Sequence, residues 1–302
     1  MFIDIHTHIT YGDCPELAAG ILGRPPFDIG VLLRRMDLEG IEKSVLLPLM
    51  NAEVVDRYGV AGNQEVLRAA RRYPDRIIPF CCVEPRSMLA WGHPEGRGTF
   101  RNLLRIYRDL GCKGIGEVCG SVPVDDERYQ RIYEAAGELG MPLIFHFQPH
   151  GGHSYGATDD FHLPGLERML TMFPNTVFIG HSMAFWSEIS GEVEEPCREH
   201  YLKQPYTTKG RLWELMKKYP NLRGDISAGS GAFALSCDPA HGAEFLTEFQ
   251  DQLYFGTDRF SSEDEPVPPQ IGLLNNWLAE GKITRDTYEK IAHVNAEKLL
   301  DL

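Results

Sequence analysis

Phe2-Ile3-Asp4-Ile5-His6-Thr7-His8 is a short apolar run that ends in two imidazoles one residue apart. In a strand, side chains at i and i+2 leave the same face, so both rings enter one pocket and can share one cation. Seven more runs of this apolar, β-branched kind follow, at 44–48, 77–83, 114–118, 142–147, 176–180, 222–226 and 252–256. Between them lie segments with helical patterning at 28–39, 63–72, 100–110, 126–139, 163–173, 210–219 and 243–249. Turn signals such as Tyr73-Pro74-Asp75, Leu139-Gly140, Phe173-Pro174-Asn175 and Tyr219-Pro220-Asn221 stand just before strands, where helices must stop. Strand and helix alternate at the spacing of βαβ units, and near-continuous apolar strands are what a parallel sheet covered on both faces requires. Eight such repeats predict a closed α/β barrel, the (β/α)8 or TIM fold, as one domain over residues 1–302. An open doubly wound sheet with a nucleotide site would carry G-x-G-x-x-G after the first strand, and that turn is lacking. Beyond the eighth strand, helical patterns at 270–278 and 284–300 are expected to pack across the barrel. The segments 88–98, with Trp91-Gly92-His93-Pro94, and 148–162 read as long loops.

The 302 residues, 43% of them hydrophobic, suffice for a large core. Acidic residues outnumber basic ones 43 to 30, and the formal charge of −13 repels a phosphate backbone, so nucleic acid is not an expected partner. No stretch approaches the roughly 18 apolar residues of a membrane span, and the first residues do not resemble a secretory signal. Seven cysteines, at 14, 81, 82, 112, 119, 197 and 237, form no C-x-x-C pair and are odd in number. Reduced thiols in the cytoplasm are the expectation, with Cys81 and Cys82 as packing residues. The expected partner is a small-molecule substrate, and a two-fold homodimer is the commonest assembly for such an enzyme.

In a barrel the carboxyl ends of the strands meet at one rim, where enzymes of this architecture keep their chemistry. His6 and His8 close the first strand, Glu117 the fourth, His146 the fifth, His181 the sixth, Asp225 the seventh and Asp258 the eighth. Each is bounded by apolar residues, and their convergence on one rim points to a shared site. Asp225 lies in Gly224-Asp225-Ile226-Ser227-Ala228-Gly229, which also reads as a flexible turn, so it is not taken as a ligand. His150, His153 and His162 follow the fifth strand and are within reach of a substrate. Arg259 suits either a clamp on a substrate carboxylate or an ion pair. Glu263-Asp264-Glu265 reads as a solvated acidic loop.

Taken together, Asp4-Ile5-His6-Thr7-His8, Ile144-Phe145-His146, Phe178-Ile179-Gly180-His181, Phe255-Gly256-Thr257-Asp258 and Val294-Asn295-Ala296-Glu297-Lys298-Leu299-Leu300 resemble the amidohydrolase superfamily of metal-dependent barrels. The resemblance spans residues 2–300 and is to the amidohydrolase-2 branch, which holds both hydrolases and non-oxidative decarboxylases. It implies that His6, His8, His146 and Asp258 bind a divalent metal, zinc first and manganese second, and that His181 is catalytic or polarises the substrate. Glu117, within Gly114-Ile115-Gly116-Glu117-Val118, is similar to the glutamate that shares two metals in TatD-type hydrolases. Two arrangements stay open: a mononuclear site with Glu117 outside the ligand set, slightly preferred, and a binuclear site with Glu117 as a ligand.

A divalent ion in such a site lowers the pKa of bound water to about 7, with Asp258 as proton acceptor and His181 as hydrogen-bond donor to the developing oxyanion. The first functional expectation is hydrolysis of a small-molecule ester, lactone or amide. The alternative is metal-dependent decarboxylation of an aromatic or unsaturated carboxylic acid, which the same ligands support. Glu117 favours hydrolysis, because a further carboxylate suits a second metal. A third reading, a non-catalytic metal-stabilised barrel, leaves the clustering at the catalytic rim unexplained. Substrate identity would reside in the loops at 11–28, 51–60, 91–98, 148–162, 184–206 and 228–239.

Overall fold

A computed structural model describes residues 1–10, 15–55, 57–87, 99–260 and 262–302. Its strands are β1 (Phe2–Thr7), β2 (Ile41–Leu46), β3 (Ile77–Pro79), β4 (Ile115–Val118), β5 (Leu143–Pro149), β6 (Ala157–Asp159), β7 (Phe178–His181), β8 (Leu222–Asp225) and β9 (Leu253–Tyr254). All pairings between them are parallel, in two arcs ordered β1-β2-β3 and β4-β5-β7-β8-β9, with β6 alongside β5. Two parallel bridges, Cys81 with Ile115 and Thr7 with Arg259, join the arcs. The Cys81 amide donates to Gly114 O at 3.0 Å and the Ile5 amide to Phe255 O at 3.0 Å, so backbone hydrogen bonds run around the ring. The fold is the expected TIM barrel, and each of the eight expected strands is one of its staves.

The helices begin and end where local chemistry directs. Asp28 accepts from the Val31 amide at the start of Ile29–Glu39, and Gly40 ends that helix at a φ of 69°. Asp126 caps Glu127–Leu139 in the same way, and Gly140 closes it at a φ of 66°. Three helices occupy segments read as loops: Pro15–Leu22, Met183–Trp186 and Ala228–Ser236. The last is mostly Gly, Ala and Ser, without the apolar periodicity that marks a helix in sequence. It is held by close approach, since a Cβ on Gly231 would stand 2.3 Å from the Ile226 carbonyl oxygen. β6 likewise lies inside the segment 148–162 expected to be a loop. The segment 88–98, Cys14 and residues 11–14 of the first expected loop lie outside the described residues.

Two apolar layers follow from the alternation of the strands. Ile3, Ile5, Val45, Leu47, Ile78, Phe80, Ile144, Ile179 and Tyr254 fill the barrel, and Ala296 and Leu300 complete that cluster. Phe2, Leu46, Phe145, Phe178 and Leu222 pack outward against the helices. The tail lies across the barrel as expected: the Phe255 amide donates to Ile291 O at 2.9 Å, and the Asn295 side-chain amide donates to Gln250 O and Leu253 O. The described cysteines, Cys81, Cys82, Cys112, Cys119, Cys197 and Cys237, are free thiols. Among the described residues, no helix is long and apolar enough to cross a membrane.

Candidate metal centre

β1 and β2 shift register between Asp4 and Thr7. Phe2 belongs to the outer layer while Ile3 and Ile5 face the interior, so an unbroken alternation would carry His6 and His8 outward with Phe2; past the irregularity they face the rim. Asp4 holds this bend. Its carboxylate accepts from the His6 amide at 2.9 Å, the Thr257 amide at 3.0 Å and the Thr257 hydroxyl at 2.6 Å, tying β1 to the segment that bears Asp258. Burial pushes its pKa up to about 7. Asp258 itself sits in the left-handed region at a φ of 57°, and its amide donates to His6 O at 2.7 Å. A non-glycine residue in that conformation is held there by its surroundings, here with its carboxylate aimed at the histidines.

Six side chains expected from the sequence meet at this rim. His6 Nε2 is 3.2 Å from His8 Nε2, 3.4 Å from Asp258 Oδ1 and 3.7 Å from Glu117 Oε2. His8 Nε2 is 3.5 Å from both Glu117 Oε2 and Asp258 Oδ1. The other oxygen of Glu117, Oε1, is 2.8 Å from His146 Nδ1 and 3.9 Å from His181 Nε2, and His181 Nε2 is 3.7 Å from Asp258 Oδ2. The donor atoms thus gather in groups: His6, His8 and Glu117; Glu117, His146 and His181; and His6, His181 and Asp258. Glu117 belongs to two of them through different oxygens. His6, Glu117 and His181 are buried, whereas the Asp258 side chain keeps 24% exposure and is the acid a substrate can reach.

A second layer sets the ring orientations. Asp225 Oδ2 lies 2.5 Å from His6 Nδ1, and its Oδ1 accepts from the Ser227 amide at 2.9 Å. A Cβ on Gly256 would stand 2.4 Å from Asp225 Oδ1 and 3.2 Å from His6 Cβ, so glycine is the residue that leaves room for this pair. His8 Nδ1 donates to Leu47 O at 2.8 Å. Ser227 Oγ donates to Asp225 Oδ2 at 2.9 Å and accepts from His181 Nδ1 at 3.0 Å. Each of these contacts holds a proton on Nδ1 and turns Nε2 of His6, His8 and His181 inward.

Charge follows the same layout. Burial opposes a proton on His6, yet Asp225, Asp258 and Glu117 hold its pKa well above the ordinary value. Burial, with His6 close by, pushes His181 down to about 4, so it is neutral at pH 7. Burial works against ionised Glu117, but His146 and His6 hold its carboxyl well below the usual range. Asp258 is also held low, against burial, by His6, by a bond to His8 and by His181. Two carboxylates facing converging imidazole nitrogens are groups that could hold a divalent cation.

The other candidates belong to none of these donor groups. The His162 ring pairs with buried Glu188 at 3.2 Å, the His153 amide donates to Glu199, and the His150 amide donates to Asp159 O. Arg259 is buried in a structural network with Glu39 at 2.6 Å, Glu265 at 3.2 Å and Pro266 O. Of the acidic run, Glu263 pairs with Arg34 at the surface and Glu265 with Arg259. Sequence reasoning passed over Asp225, whose place at a strand end was visible but whose glycine-rich surroundings read as a turn. It also missed Ser227 and Tyr155, whose ring lies 4.3 Å from that of His146; neither carries a sequence signal.

A family model described as "Amidohydrolase" matches residues 3–302. No curated protein matches the chain. Among solved structures, an uncharacterized TIM-barrel protein from Bordetella bronchiseptica is 20% identical, with a TM-score of 0.62 over 99% of this chain and 98% of that one. A dihydroxybenzoic acid decarboxylase from a Polaromonas species, with bound manganese and an inhibitor, is 16% identical, with a TM-score of 0.63 over 100% and 97%. A probable 2-pyrone-4,6-dicarboxylic acid hydrolase from Acinetobacter baumannii is 12% identical, with a TM-score of 0.59 over 100% and 99%.

Proposed function

The chain belongs to the amidohydrolase family, and from that premise we propose that it is a metal-dependent hydrolase of a small-molecule ester, lactone or amide. The observation that carries this reading is the placement of Glu117, with Oε2 toward His6 and His8 and Oε1 toward His146. Such a carboxylate would suit two ions: His6, His8, Asp258 and Glu117 would hold one, and His146, His181 and Glu117 the other. This grouping favours the binuclear arrangement over one ion held by His6, His8, His146 and Asp258. When bound, zinc or manganese lowers the pKa of water toward 7 and polarises the scissile carbonyl.

The chain's own residues do the rest. Asp258, ionised and partly accessible, takes the proton released by the attacking water and returns it to the leaving group. His181 is neutral and presents an Nε2 lone pair, which suits ligation better than the oxyanion donation expected from its sequence position. Asp225 and Ser227 act through His6 and His181 as positioning residues. The free cysteines suit a reducing compartment such as the cytoplasm.

Decarboxylation is a second reading, favoured by the aromatic rings of Tyr155 beside His146 and Phe260 beside His8, which suit a flat acid. The test is metal content of protein purified without chelator, followed by assays of the zinc- and manganese-loaded forms against esters, lactones, amides and aromatic acids. Hydrolysis with two equivalents of metal is the expected result. Release of carbon dioxide without hydrolysis would reverse the order of the two readings, and a metal-free, inactive protein would overturn both.

A further inference from the structure

A cavity of about 360 Å³ opens at the end of the barrel opposite the metal centre, between the starts of β5, β7, β8 and β9 and the closing helix Asn295–Leu300. Met141, Pro142, Val177 and Leu299 give it apolar walls, and its volume falls at the small end of the range for ligand clefts, roughly 300–1,000 Å³. Enzymes of this architecture keep their chemistry at the other rim, so catalysis does not account for the polar groups gathered here.

Those groups are donors. Tyr254 lines the cavity from β9, is 3% exposed, and its hydroxyl has no hydrogen-bond partner among the described residues. Burial pushes its pKa up to about 12, against the pull of nearby Arg223, so the phenol keeps its proton at neutral pH. Arg223 follows outward-packing Leu222 on β8, and the alternation of the strand carries it toward the lumen. Its Nη1 donates to Asp251 O at 3.2 Å, whereas its buried Nε has no partner. Lys298 lines the cavity from the closing helix and is exposed. The acid in the lining, Asp251, turns its carboxylate to Lys290 at 3.1 Å, which leaves the cavity two cations and a phenol without a facing anion among the described residues.

We infer that this cavity is a second binding site, for a phosphate monoester with a small apolar body. Its phosphate oxygens accept from the Arg223 guanidinium, the Tyr254 hydroxyl and the Lys298 ammonium, and its organic part lies along the apolar walls. A phosphate monoester carries up to about two negative charges and three terminal oxygens at neutral pH, which matches three donor groups better than the two oxygens of a carboxylate do. Such a ligand ties the closing helix to β8 and β9, the strands that lead on to Asp225 and Asp258, and so stabilises the folded chain. The inference does not depend on the reading of the opposite rim as a metal site.

The test titrates the full-length protein calorimetrically with phenyl phosphate, inorganic phosphate and benzoate, and follows thermal unfolding with and without phenyl phosphate. Phenyl phosphate should bind more tightly than either of the others and raise the unfolding temperature. Tyr254→Phe, which keeps the ring and removes only the hydroxyl, should weaken it about tenfold, the magnitude of one hydrogen bond to a charged group. Arg223→Gln should cost at least as much, and Lys298→Gln, at an exposed position, about two- to fivefold. All three variants should keep the metal content of the unmodified protein, which separates this site from the rim. Absence of phenyl phosphate binding, or binding that survives both Tyr254→Phe and Arg223→Gln, would overturn the inference. Benzoate that binds as tightly, with the same losses in the variants, would overturn the assignment to a phosphate, and inorganic phosphate that binds as tightly would overturn the role of the apolar walls. Should Arg223→Gln not fold, Tyr254→Phe decides the outcome by itself.

Discussion

Asp225→Asn isolates the second layer of the metal centre with almost no change of volume. The carboxylate serves His6 through Oδ2 at 2.5 Å and the Ser227 amide through Oδ1 at 2.9 Å, so both oxygens act as acceptors. An asparagine supplies one acceptor. If its oxygen faces His6, its NH2 opposes the Ser227 amide; if it turns over, the NH2 faces His6 Nδ1 and drives the ring proton to Nε2, where the ion should bind. Both arrangements weaken His6 as a ligand, and the variant also removes a full negative charge from a pair that is completely buried. Loss of an outer-layer partner of a ligating histidine costs about 10- to 100-fold in metal affinity, equivalent to roughly 1.4 to 2.7 kcal/mol. The assay is competition of apo-protein against a fluorescent chelator for zinc and manganese, with thermal unfolding of the apo-form as the control for folding. A folded Asp225→Asn protein with wild-type affinity for both ions would refute the argument that Asp225 sets the tautomer of His6.

Glu117→Gln should lower metal content from two equivalents to one, as read by elemental analysis, because it removes the carboxylate common to both donor groups. Metal affinity should rise with pH: the apo-protein keeps a proton on His6 to well above pH 6.5, an entering ion must displace it, and over the range below that pKa each unit increase in pH should strengthen binding by about tenfold. Calorimetry in two buffers of different ionisation enthalpy would count the proton released, and a pH-independent affinity would contradict the charge assignment. Leu300→Ala, at the base of the barrel and 2% exposed, should cost about 2–5 kcal/mol in denaturant unfolding while leaving metal content unchanged.

Much of the fold was legible because the eight strands are buried on both faces and therefore written as dense apolar runs. The sites of Gly40 and Gly140, where helices end, were visible for a similarly local reason. Helix Ala228–Ser236 escaped because tight contact with the backbone at Ile226 selects small residues, and small residues erase the periodicity that announces a helix. His6, His8, Glu117, His146, His181 and Asp258 could be picked out as polar residues at the ends of apolar strands. The register shift that turns His6 and His8 inward has no sequence mark, nor does the way Glu117 divides its oxygens between groups. Asp225 illustrates the remaining difficulty: its partner His6 is 219 residues away, and only closure of the ring brings the two together.

That Ile3 and Ile5 share a cluster with Ala296 and Leu300 also bears on how the chain reaches its native state. Contacts between residues so far apart in sequence make for a high contact order, and the entropy of closing that span must be met before they return any stability. Until the final segment docks, the apolar lumen stands open at one end and exposes the same aliphatic side chains that later make the interior most stable.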